Sequence, residues 1–160
     1  MAVDYTVIMS VRQRFGDNKK EDGLNLIETE APFVGRSKDF SFSCPSVDRS
    51  QPGILQFESL GVSFRGIVQI NGIAIFGGLT AGPGVLNAPV GGAGLTPVWK
   101  THNLIVHENV LLDQNVLHIE AASTTDGNID DFIIDNVVIH FKTRRVGPIG
   151  PVGGGEVVIR

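Results

Sequence analysis

Apolar and polar residues alternate along most of this chain with the two-residue period of a strand that buries one face. In the opening segment Val3, Tyr5, Val7, Met9 and Val11 fall on one side, and Asp4, Thr6, Ser10 and Arg12 on the other. That pattern predicts a half-buried strand. The period recurs in KDFSFSC (38–44), where Phe40, Phe42 and Cys44 line up, and in ILQFESLGVSF (54–64), with Leu55, Phe57, Val62 and Phe64 apolar. In NVLHIEAAS (115–123), Leu117, Ile119 and Ala121 oppose Val116, His118 and Glu120. DFIIDNVVIHFKT (131–143) reads as a long strand whose alternation slips at Asn136–Val137, which is the mark of a bulge. LNLIETEAPF (24–33) reads as a weaker strand, and VWKTHNLIVHENVLL (98–112) as a strand running into a turn. No segment carries the 3.6-residue period of an amphipathic helix, and no internal repeat is visible.

The breaks between these runs are rich in turn formers. VQINGIAI (68–75) sets Asn71-Gly72 between two apolar runs, the sequence of a two-residue hairpin whose central residues both need positive φ. Asn71 is therefore conformational first. Polar GDNKKEDG (16–23) reads as a solvated loop tip, TTDGNID (124–130) as a turn, and Gly61 as a kink or bulge. Residues 76–97 are rich in glycine, contain three prolines and have no period. A loop of that length in a compact domain is commonly functional or an interface. The end, VGPIGPVGGGEVVIR (146–160), reads as a Pro/Gly linker carrying a short strand former, EVVIR.

Eight or nine short strands with Gly/Pro turns predict an all-β fold, an antiparallel β-sandwich or jelly roll. It would have a long Gly-rich loop and a tethered C-terminal strand. Residues 1–145 form the expected sandwich domain, and 146–160 the linker and terminal strand.

Composition narrows the function classes. The length of 160 residues suits one domain, and 42% hydrophobic against 19% charged residues makes it globular. A net charge of −4 argues against a nucleic-acid partner, and Lys142, Arg144 and Arg145 are too short a cluster to reverse that. Cys44 is the single cysteine, so no intrachain disulfide forms, and its place beside Phe40 and Phe42 predicts a small core residue. The opening residues lack a charged start followed by an apolar stretch, so no secretory signal is expected. The expected location is cytoplasmic, or outside by non-classical release and particle-associated. No run of about 18 apolar residues predicts a membrane span.

From residue 62 to 142 the order of features resembles the galactose-binding-domain-like jelly roll. The hairpin VQINGIAI is followed by a variable loop and the aromatic-bearing segment PVWKTHNLIV (97–106). Then come NVLHIEA (115–121), similar to an N-x-L-x-I-x-A strand, and DDFIIDNVVIHF (130–141), a last strand with an acidic start. The match covers about half the chain. The resemblance implies a carbohydrate-binding-module-like sandwich without catalysis, in a superfamily whose members often hold a structural Ca²⁺.

The candidate ligand group is Trp99, Lys100, His102 and Asn103, with Arg65. An exposed indole suits the apolar face of a sugar ring, and the polar neighbours suit its hydroxyls. The competing reading makes Trp99 a core anchor. Asp126, Asp130 and Asp131 supply the hard oxygen ligands that suit Ca²⁺, although the EF-hand pattern is absent. The competing reading is a polar turn and strand start. The four histidines lack zinc spacing, and no motif orients an acid/base pair or a nucleophile.

Two readings of function follow. One is a non-catalytic module that binds carbohydrate or glycoconjugate through loops at one end. The other is a structural subunit of a self-assembling particle or filament, phage-like, tail-like or a surface assembly. That subunit would use the 76–97 loop and the C-terminal strand as contacts with copies of itself or another assembly partner.

Overall fold

The computed structural model describes residues 2–17, 31–81, 98–125 and 127–144. These residues form ten strands and no helix: β1 (Ala2–Met9), β2 (Gln13–Phe15), β3 (Phe33–Gly35), β4 (Ser37–Ser43), β5 (Gly53–Leu60), β6 (Ile67–Ile70), β7 (Ile73–Ala74), β8 (Lys100–Val106), β9 (Gln114–Glu120) and β10 (Phe132–Thr143). They make a β-sandwich. The larger sheet runs β3-β2-β10-β5-β8, with β1 also paired to β10, and the smaller runs β4-β9-β6-β7. Every pairing is antiparallel except β2 with β3.

Period-two alternation sends one side chain in two to the interior. Leu55, Phe57, Val106, Ile139 and Phe141 of the larger sheet join Phe40, Phe42, Leu117, Ile119, Val68 and Ile70 of the smaller in one buried cluster. Cys44 is part of it, fully buried, and burial first, then the charges of Asp113 and Asp4, push its thiol up to about 12.

β10 is the spine of the larger sheet. Its first half pairs with β2 and its second half with β1, while β5 runs along its other side. The expected bulge is present: the register with β5 shifts between Asp135 and Val138, and Asn136 has φ 50. The extra residue switches the inward set from Phe132 and Ile134 to Val137, Ile139 and Phe141, so both halves of the strand keep an apolar face on the core. A smaller cluster of Ala31, Leu60 and Ile133 forms separately.

The Asn-Gly hairpin joins β6 to β7, with φ 53 at Asn71 and 78 at Gly72. Asn71 does more than turn the chain. Its Nδ2 donates to the Val110 carbonyl at 2.8 Å and to Asn115 Oδ1 at 2.9 Å, and its Oδ1 accepts the Val116 N–H at 3.0 Å.

One expectation is corrected. The apolar side of β1 is not half-buried: Val3 is 70% exposed, Tyr5 63% and Val7 50%, and only Met9 reaches the core. Alternation fixes the two faces of a strand but not which one meets the opposite sheet. The body of the expected 24–33 strand, most of the 76–97 loop, and the 146–160 linker with EVVIR lie outside the described residues.

Candidate functional site

The solvent face of the larger sheet carries an unusual set of side chains. The pairings Tyr5↔His140, His140↔Ile54 and Ile54↔Ile105 align one row across four strands. The next row is Val7, Val138, Gln56 and Asn103. Ile54 is 47% and Ile105 60% exposed, so with Val3, Tyr5 and Val7 five large apolar side chains meet solvent on β1, β5 and β8, with His140 and Val138 of β10 between β1 and β5. The Tyr5 and His140 rings lie 6.2 Å apart. Single exposed apolar residues need no explanation, whereas a contiguous patch marks an interaction surface.

The edge beside this face is guarded. β1 pairs on one side only among the described residues, and Asp4 Oδ1 accepts the Tyr5 N–H at 2.8 Å. Thr6 Oγ1 donates to the Ser43 carbonyl at 2.7 Å. A charged side chain that occupies an edge donor discourages strand addition, so the face is the accessible surface rather than the edge.

At the far end of the face stands Trp99, 37% exposed and so not a core anchor. The Arg12 guanidinium lies over its ring at 5.4 Å, and Arg12 Nε is held by Asp135 Oδ2 at 3.2 Å. Beside them Asn136 Nδ2 donates to Glu58 Oε2 at 2.8 Å. Arg12, Glu58 and Asp135 are separated by tens of residues, and the register of β10 with β5 sets Asp135 opposite Glu58.

The chain matches no protein-family model and no curated protein. The functional reading therefore rests on the residues themselves.

β8 divides the expected ligand group. Trp99 and Asn103 reach the solvent face, while Lys100 and His102 take the inward parity. His102 is 4% exposed, stacks on Phe57 with centroids 4.5 Å apart, and shares a 2.7 Å hydrogen bond with Ser59 Oγ. Burial, and secondarily the Lys100 charge, lowers its pKa to about 4. Lys100 Nζ donates to Thr80 Oγ1 at 2.6 Å and to the Ala81 carbonyl at 3.0 Å, which anchors the start of the Gly-rich loop. Arg65 is exposed in the connection between β5 and β6. The five residues do not form one surface.

The acidic group is also dispersed in role. Asp130 is buried and its Oδ2 accepts the N–H groups of Ser63 and Phe64, both at 3.0 Å. Asp131 is buried against Gly16. Asp126 lies outside the described residues. Among the described residues no group of three or more His, Cys, Asp or Glu side chains has metal-holding geometry. No helix among them is long and apolar enough to cross a membrane.

On the outside of the smaller sheet a polar network joins β4 and β9. His118 Nδ1 bonds Asp39 Oδ1 at 2.6 Å, its Nε2 bonds Glu120 Oε2 at 3.3 Å, and Arg36 holds Glu120 Oε1 at 3.1 Å. The hydrogen bond to Asp39 is the main cause of a raised His118 pKa, against a smaller opposing effect of burial. Each group in this network is satisfied internally, which suits a solvated sheet surface.

Proposed function

We propose that this chain is a non-catalytic contact module, a structural subunit of a protein assembly, and that it works through the solvent face of its larger sheet. The observation that carries this reading is the row of exposed apolar side chains on β1, β5 and β8, with Tyr5 63% and Ile105 60% exposed. Leaving such a patch in water is unfavourable unless a partner covers it. The Ser59–His102 pair does not argue for catalysis, since Ser59 is 1% and His102 4% exposed and neither reaches solvent. The test is hydroxyl-radical footprinting of Tyr5 in material isolated gently from its cells and in the dilute purified chain. Protection only in the native material supports the subunit reading. Equal labelling of Tyr5 in both samples counts against it.

A second reading is supported by Trp99. Its partly exposed indole stands at the end of the sheet that carries the Glu58–Asn136 pair, a combination of apolar ring and hydrogen-bonding groups that suits a sugar. This keeps the galactose-binding-like resemblance and a carbohydrate or glycoconjugate ligand as the alternative. The Arg12 guanidinium stacked on the ring competes for the surface a sugar would use. A glycan screen with the native chain and Trp99→Ala decides: binding lost in the variant supports this reading, and unchanged or absent binding removes it.

A further inference from the structure

We infer that the occupant of the larger sheet's solvent face is a second copy of this chain, packed face to face about a two-fold axis. The inference rests on the contact-module reading and adds the identity of the partner.

The anatomy of the face fits this occupant. Its two central rows, from Tyr5 to Ile105 and from Val7 to Asn103, contain no Asp, Glu, Lys or Arg. The charges stand outside those rows, with Lys142 beyond one, and Glu58 and the mutually paired Arg12 and Asp135 beyond the other. Charge-depleted centres with aromatic content and polar rims are the composition of protein interfaces. Four strands and about seven residues span roughly 19 by 24 Å. Two such faces come to about 900 Å², the low end of interface sizes, which suits a weak, concentration-dependent dimer.

The face is also complementary to itself. Place the axis between the two sheets, across the strands, midway between the central rows. It exchanges those rows: Tyr5 lies over Val7 of the second copy, His140 over Val138 and Ile105 over Asn103. Lys142 lies one row out on one side, and Glu58 lies one row out on the other. The same axis therefore brings Lys142 of each copy above the bulge of the other, beside Glu58. Two opposite-charge contacts form per dimer, and one operation satisfies both ends of the face. Each group has a neutral neighbour in its own chain, Lys142 with Gln51 at 3.2 Å and Glu58 with Asn136 at 2.8 Å, so both side chains are held in place. Aligned packing of two such sheets is the ordinary sandwich arrangement. The guarded β1 edge disfavours the alternative, a continuous sheet built through β1 pairing.

The experiment is sedimentation equilibrium on the full chain from micromolar to millimolar concentration. Four variants accompany it: Ile105→Lys, Lys142→Glu, Glu58→Lys and the double reversal. Unfolding midpoints are measured for each variant as a check on folding. The native chain is expected to dimerise with concentration, and Ile105→Lys to be monomeric and folded. Each single reversal should weaken dimerisation about tenfold, since it sets like charges together twice. The double reversal should return to within about threefold of the native constant, because the pairs are re-formed with exchanged signs. A double variant as weak as the product of the singles overturns this two-fold arrangement. So does dimerisation that appears only after residues 145–160 are deleted, which would make the chain's own tail the occupant. A native chain that stays monomeric while Tyr5 is protected in cell-derived material overturns the second copy and keeps the contact module. Free labelling of Tyr5 in both samples removes both.

Discussion

Ser59 and His102, 43 positions apart, share a 2.7 Å hydrogen bond inside the sandwich. Both side chains are less than 5% exposed, and the imidazole lies flat on Phe57. Its pKa falls to about 4, so the ring is neutral in the folded protein at pH 7. The unfolded chain takes up this proton near pH 6.5, the folded chain only near 4. Stability from this group is therefore complete above about 6.5 and is lost as pH falls towards 4, by about 3 kcal/mol. Urea unfolding between pH 7 and 4.5 should show that slope, and His102→Gln should flatten it at the cost of a lower plateau. His118 acts with the opposite sign. Its raised pKa makes its contribution present at low pH and lost as pH rises through the folded value. Its side chain is partly exposed, so the His102 slope dominates.

Asn71 ties the hairpin to β9 and to the turn before it through three side-chain hydrogen bonds. Asn71→Gly keeps the positive φ and loses the bonds, which predicts a loss of about 2–3 kcal/mol. Asn71→Ala also loses the ease of the left-handed conformation and should cost about 1 kcal/mol more. Thermal unfolding of the two variants side by side separates turn geometry from the tie. Equal midpoints would show that the turn conformation contributes nothing.

Gly16 has φ 133, and a Cβ there would lie 1.7 Å from Asp131 Oδ1. Neither the backbone nor the buried carboxylate has room to adjust cheaply. Gly16→Ala is expected to lose more than about 3 kcal/mol. Denaturant midpoints measure it, and a loss below about 1 kcal/mol would contradict this packing.

Asp130 fastens the Ser63–Phe64 turn by two backbone hydrogen bonds. Asp130→Ala leaves both donors without that acceptor and should cost about 2–3 kcal/mol. The cost should be the same with and without Ca²⁺. If Asp130 instead served a Ca²⁺ site, added Ca²⁺ would stabilise the native chain alone and widen the gap between the two proteins.

Cys44 is buried and its thiol is pushed up to about 12, so almost none is thiolate at pH 8. A thiol reagent should leave the folded chain unlabelled and react with one equivalent in denaturant. Rapid native labelling would place Cys44 outside the core.

Most strands were legible because each is a local pattern, whereas the three-residue β2 (Gln13–Phe15) and β3 (Phe33–Gly35) are too short to show a period. Phe40, Phe42 and Cys44, or Leu117, Ile119 and Ala121, declare a shared face without reference to the rest of the chain. The slip at Asn136 was legible for the same reason. What covers a face was not, because the opposite sheet is assembled from distant segments. Val3, Tyr5 and Val7 read as core residues and stand in solvent. The division of Trp99 and Asn103 from Lys100 and His102 was available from alternation alone, since neighbours on a strand point to opposite sides. The partners that explain His102 and Asp130, namely Ser59 and the Ser63–Phe64 turn, lie 43 and 66 or more positions away, beyond any local signal.

The pairing of Ala2 with Thr143 sets the outer ends of β1 and β10 side by side. A force applied between those two points would not shear the strands along their length. It would open the ladder from one end like a zip, loading one pair of hydrogen bonds at a time, from Ala2–Thr143 towards the bulge at Met9 and Val137. A sandwich loaded this way yields at low tension and sheds β1 first. With β1 go Val3, Tyr5 and Val7, so tension between Ala2 and Thr143 would strip these exposed apolar side chains from the larger sheet before the core of the domain gave way.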